Sequence, residues 1–458
     1  MSKLHKIFGW GRYPKQEGIE LSYRNEQELK ALLEKHPQCI ARGGGRAYGD
    51  SALAPVMLNS KRFNHVRAFN TDTGIIKVEA GLILADLLKA FVPQGWFAPV
   101  TPGTQFVSIG GMVASDVHGK NHHVDGSFGQ HITELSLMLA NGEIETCSPT
   151  NNSDLFHATI GGMGLTGIIL TVSFRMTTVQ SAWVRQETIR CDSLDAVMDE
   201  FEQSKHWKYT VAWIDCLSTD EETGRSVLFR GEHATRAELP MDKSNAPLTL
   251  KPKRKLNVPF SFPPGVLNRW SVKAFNELYF RRAPEERTDF VDYQTFFYPL
   301  DSIHNWNRIY GPKGFVQYQC VIPKARSREA LQKLLGMIAS AGEGSFLAVL
   351  KLFGPQDGML SFPSEGYTLA LDFPAKQSVF ALLDRLDQVV LEHGGRIYLT
   401  KDARMSAHTF RSGYPALKQW QQIAAKHDPE GRWQSTQSQR LSIHPAARTL
   451  AREEHTQH

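Results

Sequence analysis

The sequence has few cysteines, no long apolar run and little excess charge of either sign. Its five cysteines form no CxxC pair, which argues against a disulfide framework or a structural zinc site and suits a reducing compartment. No apolar run approaches the roughly 18 residues of a membrane span, and the N-terminus lacks the apolar core of a secretory signal. A net charge of +5 over 458 residues does not indicate a nucleic-acid partner. We therefore expect a cytoplasmic protein that is at most peripheral to the inner membrane.

The length and composition fit a globular chain of two domains or one two-lobed unit, with 41% hydrophobic and 22% charged residues. Up to about residue 175, short β-like runs alternate with helix-like spacings, such as the helix predicted over Glu26–His36. A hairpin is predicted around Asn141-Gly142, because this pair supplies the positive φ of a tight turn. Between about 180 and 395, β-like runs dominate. The stretch 232–290 is rich in Pro, Lys and Arg and is predicted to be a functional loop or partly disordered.

The first glycine-rich segment is Ala41–Asp50, which reads ARGGGRAYGD. Three consecutive glycines allow backbone N–H groups to approach a phosphate closely, because no Cβ intervenes. An ordinary glycine-rich turn would give the same pattern. A P-loop is excluded, because no Gly-Lys-Ser/Thr follows the glycines.

The second segment, Pro102–His123, contains another glycine pair and three histidines. Gly110-Gly111 could admit a pyrophosphate at the start of a helix, and His118 could meet a cofactor or a substrate. The histidines could instead bind a metal or be surface residues of a polar loop. Metal binding is disfavoured, because the segment has neither the glutamate of a zincin helix nor paired carboxylates.

The third segment, Gly161–Gly167, contains a literal GxGxxG. A Rossmann fingerprint follows a strand and opens a helix, whereas here the next residues, Ile168–Met176, have the pattern of a strand. A nicotinamide dehydrogenase is therefore disfavoured. Three glycine-rich segments between β-like runs indicate one extended dinucleotide that contacts several loops.

These segments resemble flavoproteins of the vanillyl-alcohol-oxidase type, with a PCMH-type FAD-binding fold, and within them the decaprenylphosphoryl-ribose 2-oxidase family. The resemblance covers nearly the whole chain, and the strings DVHGKNHH at 116–123 and QYQ at 317–319 are unusual enough to make it specific. The further matching strings are GWGR at 9–12, ARGGGRAYGD at 41–50, PGT at 102–104, IGG at 109–111, GSFG at 126–129, GLTGII at 164–169, YGP at 310–312, KLFG at 351–354, DFP at 372–374 and KD at 401–402.

The resemblance implies an α+β fold with two lobes. Residues 1–178 would form the N-terminal part of the FAD-binding domain, and 179–395 a substrate domain built on an antiparallel β-sheet. Residues 396–458 would return to the FAD domain. FAD is expected to be held without a covalent bond, because Arg46 stands where relatives with covalent FAD carry histidine.

The resemblance also assigns site residues by position. The residues expected to bind FAD are Arg42, Gly43, Gly44, Gly45, Arg46, Ala47, Tyr48, Gly49, Gly103, Ser108, Ile109, Gly110, Gly111, Ser115, Asp116, Val117, His118, Ile169 and Tyr398. The residues expected to line the substrate pocket are Tyr48, His118, Lys120, Trp213, Tyr310, Gln317, Gln319, Lys351 and Lys401.

Lys401 is the first candidate for catalysis, either as a cation that stabilises an alkoxide or as a proton acceptor with a lowered pKa. Tyr48 and His118 are the alternative catalytic residues, and in a purely structural interpretation Lys401 pairs with Asp402 or another acid. The chain departs from the mycobacterial pattern at two pocket positions. Ala370 stands in place of a cysteine and Thr368 in place of an asparagine, which puts the shape of the pocket or its ligand preference in doubt.

The expected activity is oxidation of a secondary hydroxyl of a polyprenyl-phosphate-linked pentose to the keto sugar, with hydride transfer to flavin N5. This would be the first half of an epimerisation that a short-chain dehydrogenase/reductase partner completes, in the synthesis of cell-wall arabinose. The alternatives are a soluble aldonolactone or alditol oxidase of the same fold and a protein without catalysis. Lys251, Lys253, Arg254 and Lys255, close to aromatic residues, hint at peripheral contact with a membrane.

Overall fold

The computed structural model describes residues 4–263 and 265–445. Within those ranges the N-terminal region contains two sheets. The first has the order β1-β2-β4-β3, with β2 and β3 both parallel to β4. Its strands are β1 (His5–Phe8), β2 (Lys15–Ser22), β3 (Ile40–Arg42) and β4 (Val56–Asn59). The parallel pairing needs a crossover, which is supplied by helix α1 (Glu26–Lys35) between β2 and β3.

The second sheet has the order β5-β6-β10-β8-β9, and every pairing in it is antiparallel. Its strands are β5 (Val66–Asn70), β6 (Ile75–Glu79), β8 (Ile132–Met138), β9 (Ile144–Cys147) and β10 (Ile168–Arg175). The hairpin predicted at Asn141-Gly142 joins β8 to β9, and Gly142 has φ 81°. Two short strands, β7 (Trp96–Phe97) and β11 (Thr177–Thr178), pair beside this sheet.

A large eight-stranded sheet follows, in the order β16-β12-β14-β13-β19-β20-β18-β21, and it is antiparallel throughout. Its strands are β12 (Trp183–Cys191), β13 (Tyr209–Ile214), β14 (Ser226–His233), β16 (Glu286–Asp292), β18 (Phe315–Pro323), β19 (Ala348–Phe353), β20 (Gly366–Pro374) and β21 (Arg396–Ile397). A small parallel pair, β15 (Leu256–Asn257) and β17 (Ile303–His304), lies apart from it. The expected α+β fold is confirmed.

The helices cover the sheets and connect them. They are α1 (Glu26–Lys35), α2 (Leu84–Phe91), α3 (Ile109–Ala114), α4 (His122–Asp125), α5 (Ser153–Thr159), α6 (Leu194–Gln203), α7 (Met241–Ser244), α8 (Arg269–Arg282), α9 (Tyr293–Phe297), α10 (Lys324–Ala341), α11 (Gln377–Glu392), α12 (Ala407–Gly413), α13 (Leu417–His427) and α14 (Thr436–Leu441). None of these helices has both the length and the apolarity that crossing a bilayer requires.

The prediction for 232–290 was wrong in one respect, because this stretch contains the 14-residue helix α8. Its apolar residues lie on two faces, so the sequence has no clear amphipathic period. The signal that could have identified it is the cap. The side chain of Asn268 accepts from the backbone N–H of Ser271, and the hydroxyl of Ser271 accepts from the backbone N–H of Asn268.

The C-terminal segment packs against the N-terminal region. The backbone N–H of Cys39 donates to the carbonyl of Arg432, and that of Thr436 donates to the carbonyl of Leu53. The indole of Trp420, which is fully buried, donates to the carbonyl of Ala158. Residues Arg396–Ile397 form strand β21 of the large sheet, so the segment that returns to the N-terminal region begins after Ile397. The three-part domain division remains a prediction, and residues 446–458 lie outside the described ranges.

Candidate active site

A cavity of about 420 Å³ lies between the N-terminal sheets and the large sheet. All three glycine-rich segments, the third through Gly164 and Gly167, and the face of the large sheet contribute to its wall, so segments far apart in sequence meet there. The residues expected to bind FAD that line the cavity are Gly43, Gly44, Gly45, Arg46, Ala47, Tyr48, Gly103, Ser108, Gly110, Gly111, Ser115, Val117, His118, Ile169 and Tyr398. The residues expected to bind substrate that line it are Tyr48, His118, Lys120, Trp213, Gln317, Gln319, Lys351 and Lys401.

Five of the expected residues do not line this cavity. The guanidinium of Arg42 donates to the backbone carbonyls of Phe8 and Ala52, which fixes the start of the glycine loop. Gly49 and Ile109 are buried, and so is Asp116, which accepts from Gly129 and Gln356. Tyr310 stacks on Phe315 behind the cavity wall, at 4.4 Å between ring centroids. Their environments are those of residues that shape the loops.

The glycine loops leave room that a larger residue would fill. A Cβ on Gly103 would meet no protein atom within 4 Å, so it would extend into the cavity. A Cβ on Gly44 would lie 2.9 Å from the carbonyl oxygen of Phe106, so the two loops approach closely because a side chain is absent. Ser108 caps helix α3 and presents Gly110 and Gly111 to the cavity. A long, thin ligand with a pyrophosphate fits this wall.

Two buried polar atoms in the cavity wall have no hydrogen-bond partner among the described residues. They are the hydroxyl of Tyr23, on the side of the glycine loops, and Nδ1 of His118. Because a buried polar atom without a partner is unfavourable, a ligand that completes these bonds is expected. The residues present therefore fit an extended dinucleotide such as FAD.

Arg46 belongs to the first glycine loop, and its guanidinium packs against two aromatic rings. Its guanidinium carbon lies 4.1 Å from the ring centroid of Trp10 and 5.2 Å from that of Phe106. Burial lowers the pKa of Arg46, an effect that the carboxylate of Asp301 opposes. The guanidinium is therefore oriented by cation–π contacts at the cavity wall.

Lys401 lies next to the first glycine loop, where its Nζ is 3.9 Å from the ring centroid of Tyr48. Burial lowers the pKa of Lys401 to about 7, an effect opposed by the carboxylate of Asp372 and strengthened by Lys351. Burial raises the pKa of Asp372, against its hydrogen bond from Gln317 and the charge of Lys401. The two groups thus form a pair whose proton affinities approach each other near neutral pH.

The structural interpretation of the sequence paired Lys401 with Asp402 or another acid, and in the structure the acid whose charge acts on Lys401 is Asp372. Asp402 accepts instead from Arg440, at 2.8 Å, and from the backbone N–H groups of Arg404 and Met405. Although burial acts to raise the pKa of Asp402, Arg440 and Arg404 hold it below its ordinary value. Adjacent residues on this turn point in different directions, so Lys401 remains available to the cavity.

Arg440 joins the two loops that carry Tyr48 and Lys401. Its guanidinium makes a bidentate contact with Asp50, at 2.8 and 3.1 Å, in addition to the contact with Asp402. The backbone N–H of Tyr48 donates to the carbonyl of Thr400 at 3.0 Å. Helix α14 therefore fixes the first glycine loop against the Lys401 loop.

Each of the three histidines of the second segment has protein partners. Nε2 of His118 and the amide of Gln319 lie 3.0 Å apart, and burial lowers the pKa of His118 well below its ordinary value. His122 contacts Gln356, and His123 contacts the carbonyl of Trp207. Over the described ranges, no group of three or more His, Cys, Asp or Glu side chains is arranged to hold a metal ion.

Two further lysines face the cavity. Burial, with a smaller contribution from Lys351, lowers the pKa of Lys120 to about 7. Burial also lowers the pKa of Lys351 to about 8. Lys120 donates to the carbonyl of Phe296, and its Nζ lies 4.3 Å from the ring centroid of that residue. An anionic ligand would relieve the cost of burying these amines.

Three residues in or beside the cavity wall were missed by sequence reasoning. Asp372, the partner of Lys401, lies in the DFP string that contributed to the resemblance, so a signal existed. Trp306 and Tyr279 line the cavity from segments outside every quoted motif, and no pattern in the sequence pointed to them.

Comparison with known proteins adds the family. The model described as FAD binding domain matches residues 23–148. The chain is 36% identical over 449 residues to decaprenylphosphoryl-beta-D-ribose oxidase of Mycolicibacterium smegmatis, which spans 96% of this chain and 97% of that protein. The chain belongs to the decaprenylphosphoryl-beta-D-ribose oxidase family. The resemblance seen in the sequence is thereby confirmed.

More distant relatives share only part of the chain. A putative D-arabinono-1,4-lactone oxidase of Neurospora crassa is 35% identical over 128 residues, which are 28% of this chain and 23% of that protein. The L-gulonolactone oxidase of Bos taurus is 28% identical over 197 residues, which are 42% and 43% of the two chains. Membership of the decaprenylphosphoryl-beta-D-ribose oxidase family makes the protein an FAD-dependent oxidoreductase.

Proposed function

We propose that the protein oxidises a secondary hydroxyl of a polyprenyl-phosphate-linked pentose to the keto sugar. The observation that carries this proposal is the Lys401–Asp372 pair beside Tyr48 of the first glycine loop, at the cavity whose glycine loops fit FAD. The proposal also draws on the full-length relative whose name states that it acts on decaprenylphosphoryl-ribose.

Lys401 accepts the hydroxyl proton of the substrate in this proposal. A proton acceptor must be neutral before it reacts, and a pKa lowered to about 7 makes the neutral amine accessible near neutral pH. Bound FAD supplies the acceptor for the hydride at N5, a chemistry that amino-acid side chains lack. Asp372 sets the position and charge of Lys401, and neutral His118 donates or accepts hydrogen bonds at the reacting end of the cavity.

The substrate is recognised by two kinds of groups. Gln317 and Gln319 on β18 provide amides for sugar hydroxyls, and Lys120 and Lys351 provide positive charge for the phosphate. Ala370 lacks the sulfur atom of the cysteine in the mycobacterial pattern, and Thr368 replaces an amide with a hydroxyl, so this part of the wall differs in shape and in hydrogen bonding.

The cofactor is held without a covalent bond in this proposal, since the guanidinium of Arg46 does not form the flavin linkage that histidine forms in some relatives. Acid precipitation should release all flavin into the supernatant. Yellow colour that persists in the washed pellet would contradict the assignment.

The keto sugar would pass to a short-chain dehydrogenase/reductase, which completes the epimerisation by reducing it. The protein would meet its lipid-linked substrate at the inner membrane. Lys251 and Arg254 are exposed, as is Phe260 a few residues further on, whereas Lys253 pairs with Asp292. Binding to anionic vesicles should be weak and salt-sensitive, because each exposed cation contributes about 1 kcal/mol at an anionic surface. Co-sedimentation at low and high salt tests this contact.

Oxidation of a soluble aldonolactone is the second candidate, favoured by the partial likeness to lactone oxidases. Bleaching of bound flavin under anaerobic conditions separates the two. A polyprenyl-phosphoryl ribose should bleach the flavin at a far lower concentration than L-gulono- or D-arabinono-lactone. The reverse order of preference would establish the lactone oxidase.

A further inference from the structure

Helix α8 exposes an apolar face that the rest of the described chain leaves uncovered. The ring of Trp270 is 76% exposed, Leu278 is 50% exposed and Phe275 is 43% exposed. The opposite face is buried through Val272, Asn276 and Phe280. Exposed apolar side chains that cluster on one helix indicate a surface that an apolar partner covers.

The exposed face is joined to the cavity by a continuous row of aromatic rings. Tyr279 lines the cavity and lies 4.6 Å from Trp213, measured between ring centroids. Tyr279 stacks on Phe275 at 5.9 Å, and Phe275 meets Phe346 at 5.7 Å. Phe346 in turn stacks on Tyr310 behind the cavity wall. The rings of Tyr279 and Phe275 therefore give an apolar chain a contact surface that runs from the cavity to the exposed face of α8.

Hydrogen bonds and an ion pair on its buried side fix the position of α8. The amide of Asn276 donates to Asp215 at 2.7 Å, and Asp215 accepts two hydrogen bonds from Arg225, at 2.9 and 3.1 Å. Arg225 also pairs with Glu277 of the helix. This buried network holds the apolar face in place, so the face does not depend on a ligand for its position.

The charge of the helix favours an anionic partner. The sequence RWSVKAFNELYFRR contains four basic residues and one acidic residue. At 100° per residue, Trp270, Leu278 and Phe275 lie within about 140° of the helix surface, with Arg281 between the first two and Arg282 between the last two. The helix thus presents apolar side chains interleaved with cations, which suits an apolar chain attached to phosphate.

We infer that the exposed face of α8 binds the polyprenyl chain of the substrate where the chain leaves the cavity. This inference rests on the proposed function, which supplies a substrate with such a chain. The helix is about 21 Å long at 1.5 Å per residue, so it covers the first part of the chain, and the remainder stays in the bilayer.

The test compares two substrates that share the phosphoryl-ribose head and differ in chain length, one with ten isoprene units and one with two. Anaerobic bleaching of the flavin gives kcat/KM for each. In Leu278→Asp and Trp270→Asp, the preference for the long chain should fall about tenfold, while kcat/KM for the short chain changes less than about twofold. Ile144→Asp, at a residue exposed to 43% on β9, is the matched control and should keep the full preference.

An unchanged preference in both α8 variants would overturn the inference. The inference would also fail if the variants altered only self-association in light scattering, because the face would then be a contact between copies of the chain. Failure of both substrates to bleach the wild-type flavin would instead overturn the proposed function, and this result does not depend on any variant.

Discussion

The two walls of the cavity are built in different ways. The wall of glycine loops comes from short continuous segments, Ala41–Asp50 and Pro102–His123, and it offers glycine backbone and empty space together with the side chains of Tyr48, His118 and Lys120. The opposite wall comes from side chains on β13, β18, β19 and β20 and on the loop that follows β21. The first wall suits a cofactor that many enzymes share, because backbone groups recognise phosphates in any sequence context. The second wall carries the proposed proton acceptor Lys401 and several of the proposed substrate contacts, and its charged side chains can be changed one at a time.

The largest effect on flavin reduction should come from the wall that carries Lys401. Lys401→Ala removes the proposed proton acceptor and should slow flavin reduction at least about a hundredfold, which corresponds to about 3 kcal/mol at the transition state. FAD should remain bound, because the substitution leaves the residues of the glycine loops unchanged. Stopped-flow flavin reduction and the flavin-to-protein ratio measure the two effects.

Lys333→Ala is the control for this change, since Lys333 is a surface residue that pairs with Glu392. It should reduce its flavin at the wild-type rate. Near-normal reduction in Lys401→Ala would remove Lys401 from the mechanism, and loss of FAD in that variant would show that the two walls are not independent.

The next largest effect should come from Arg440, which links the first glycine loop to the Lys401 loop. Arg440→Gln breaks the link between Asp50 and Asp402 and should slow flavin reduction about tenfold, or about 1.4 kcal/mol. The apparent pKa of reduction should also rise, because a displaced Lys401 gains solvent and loses part of the burial that lowers its pKa.

Arg432→Gln is the matched control for Arg440. Arg432 lies in the same C-terminal segment and donates to the carbonyls of Leu33 and His36, away from Lys401. Arg432→Gln should lower the melting temperature as much as Arg440→Gln does, and it should leave the pH profile of flavin reduction unchanged. An Arg440 variant that only melts at a lower temperature would show that the link has a structural role alone.

The pH dependence should follow the charge of Lys401. Below a pKa of about 7 the amine is protonated and cannot accept a proton, so reduction should accelerate up to about tenfold per pH unit and level off above that value. Lys401→Arg, which stays protonated, should abolish the rise. Limiting rates measured between about pH 5.5 and about pH 9 check this. A rate that falls through neutrality would assign Lys401 the role of a cation that stabilises the alkoxide.

The smallest effect should come from the glycine wall. Gly103→Ala places a methyl group in the cavity and should weaken FAD binding about fivefold, or about 1 kcal/mol, without changing the melting temperature of the apoprotein. Gly336→Ala, where a Cβ also meets no atom within 4 Å, lies in α10 and should leave FAD affinity unchanged. Fluorescence titration of apoprotein with FAD measures both. Equal affinities for the two variants would mean that Gly103 does not face the cofactor.

Prediction from the sequence succeeded for elements whose formation depends on residues close together in the chain. The hairpin at Asn141-Gly142 and the helix that begins at Glu26 follow from turn chemistry and hydrophobic spacing within a few residues. Helix α8 was missed because its apolar residues lie on two faces, and the outer one has no partner within the described chain. The acid partner of Lys401 stayed open between Asp402 and another acid, because proximity in sequence does not fix the direction of side chains on a turn.

The sequence by itself determined the cofactor loops, the family and the identity of the candidate reactive lysine, because these are carried by continuous strings of residues. Only the tertiary structure decided which acid faces Lys401, since Asp372 reaches it through the register of β20 against β18. Tertiary structure also decided how the walls are joined, because Asp50 and Arg440 are 390 residues apart. A contact over such a separation depends on how the whole chain packs, and no local pattern encodes it.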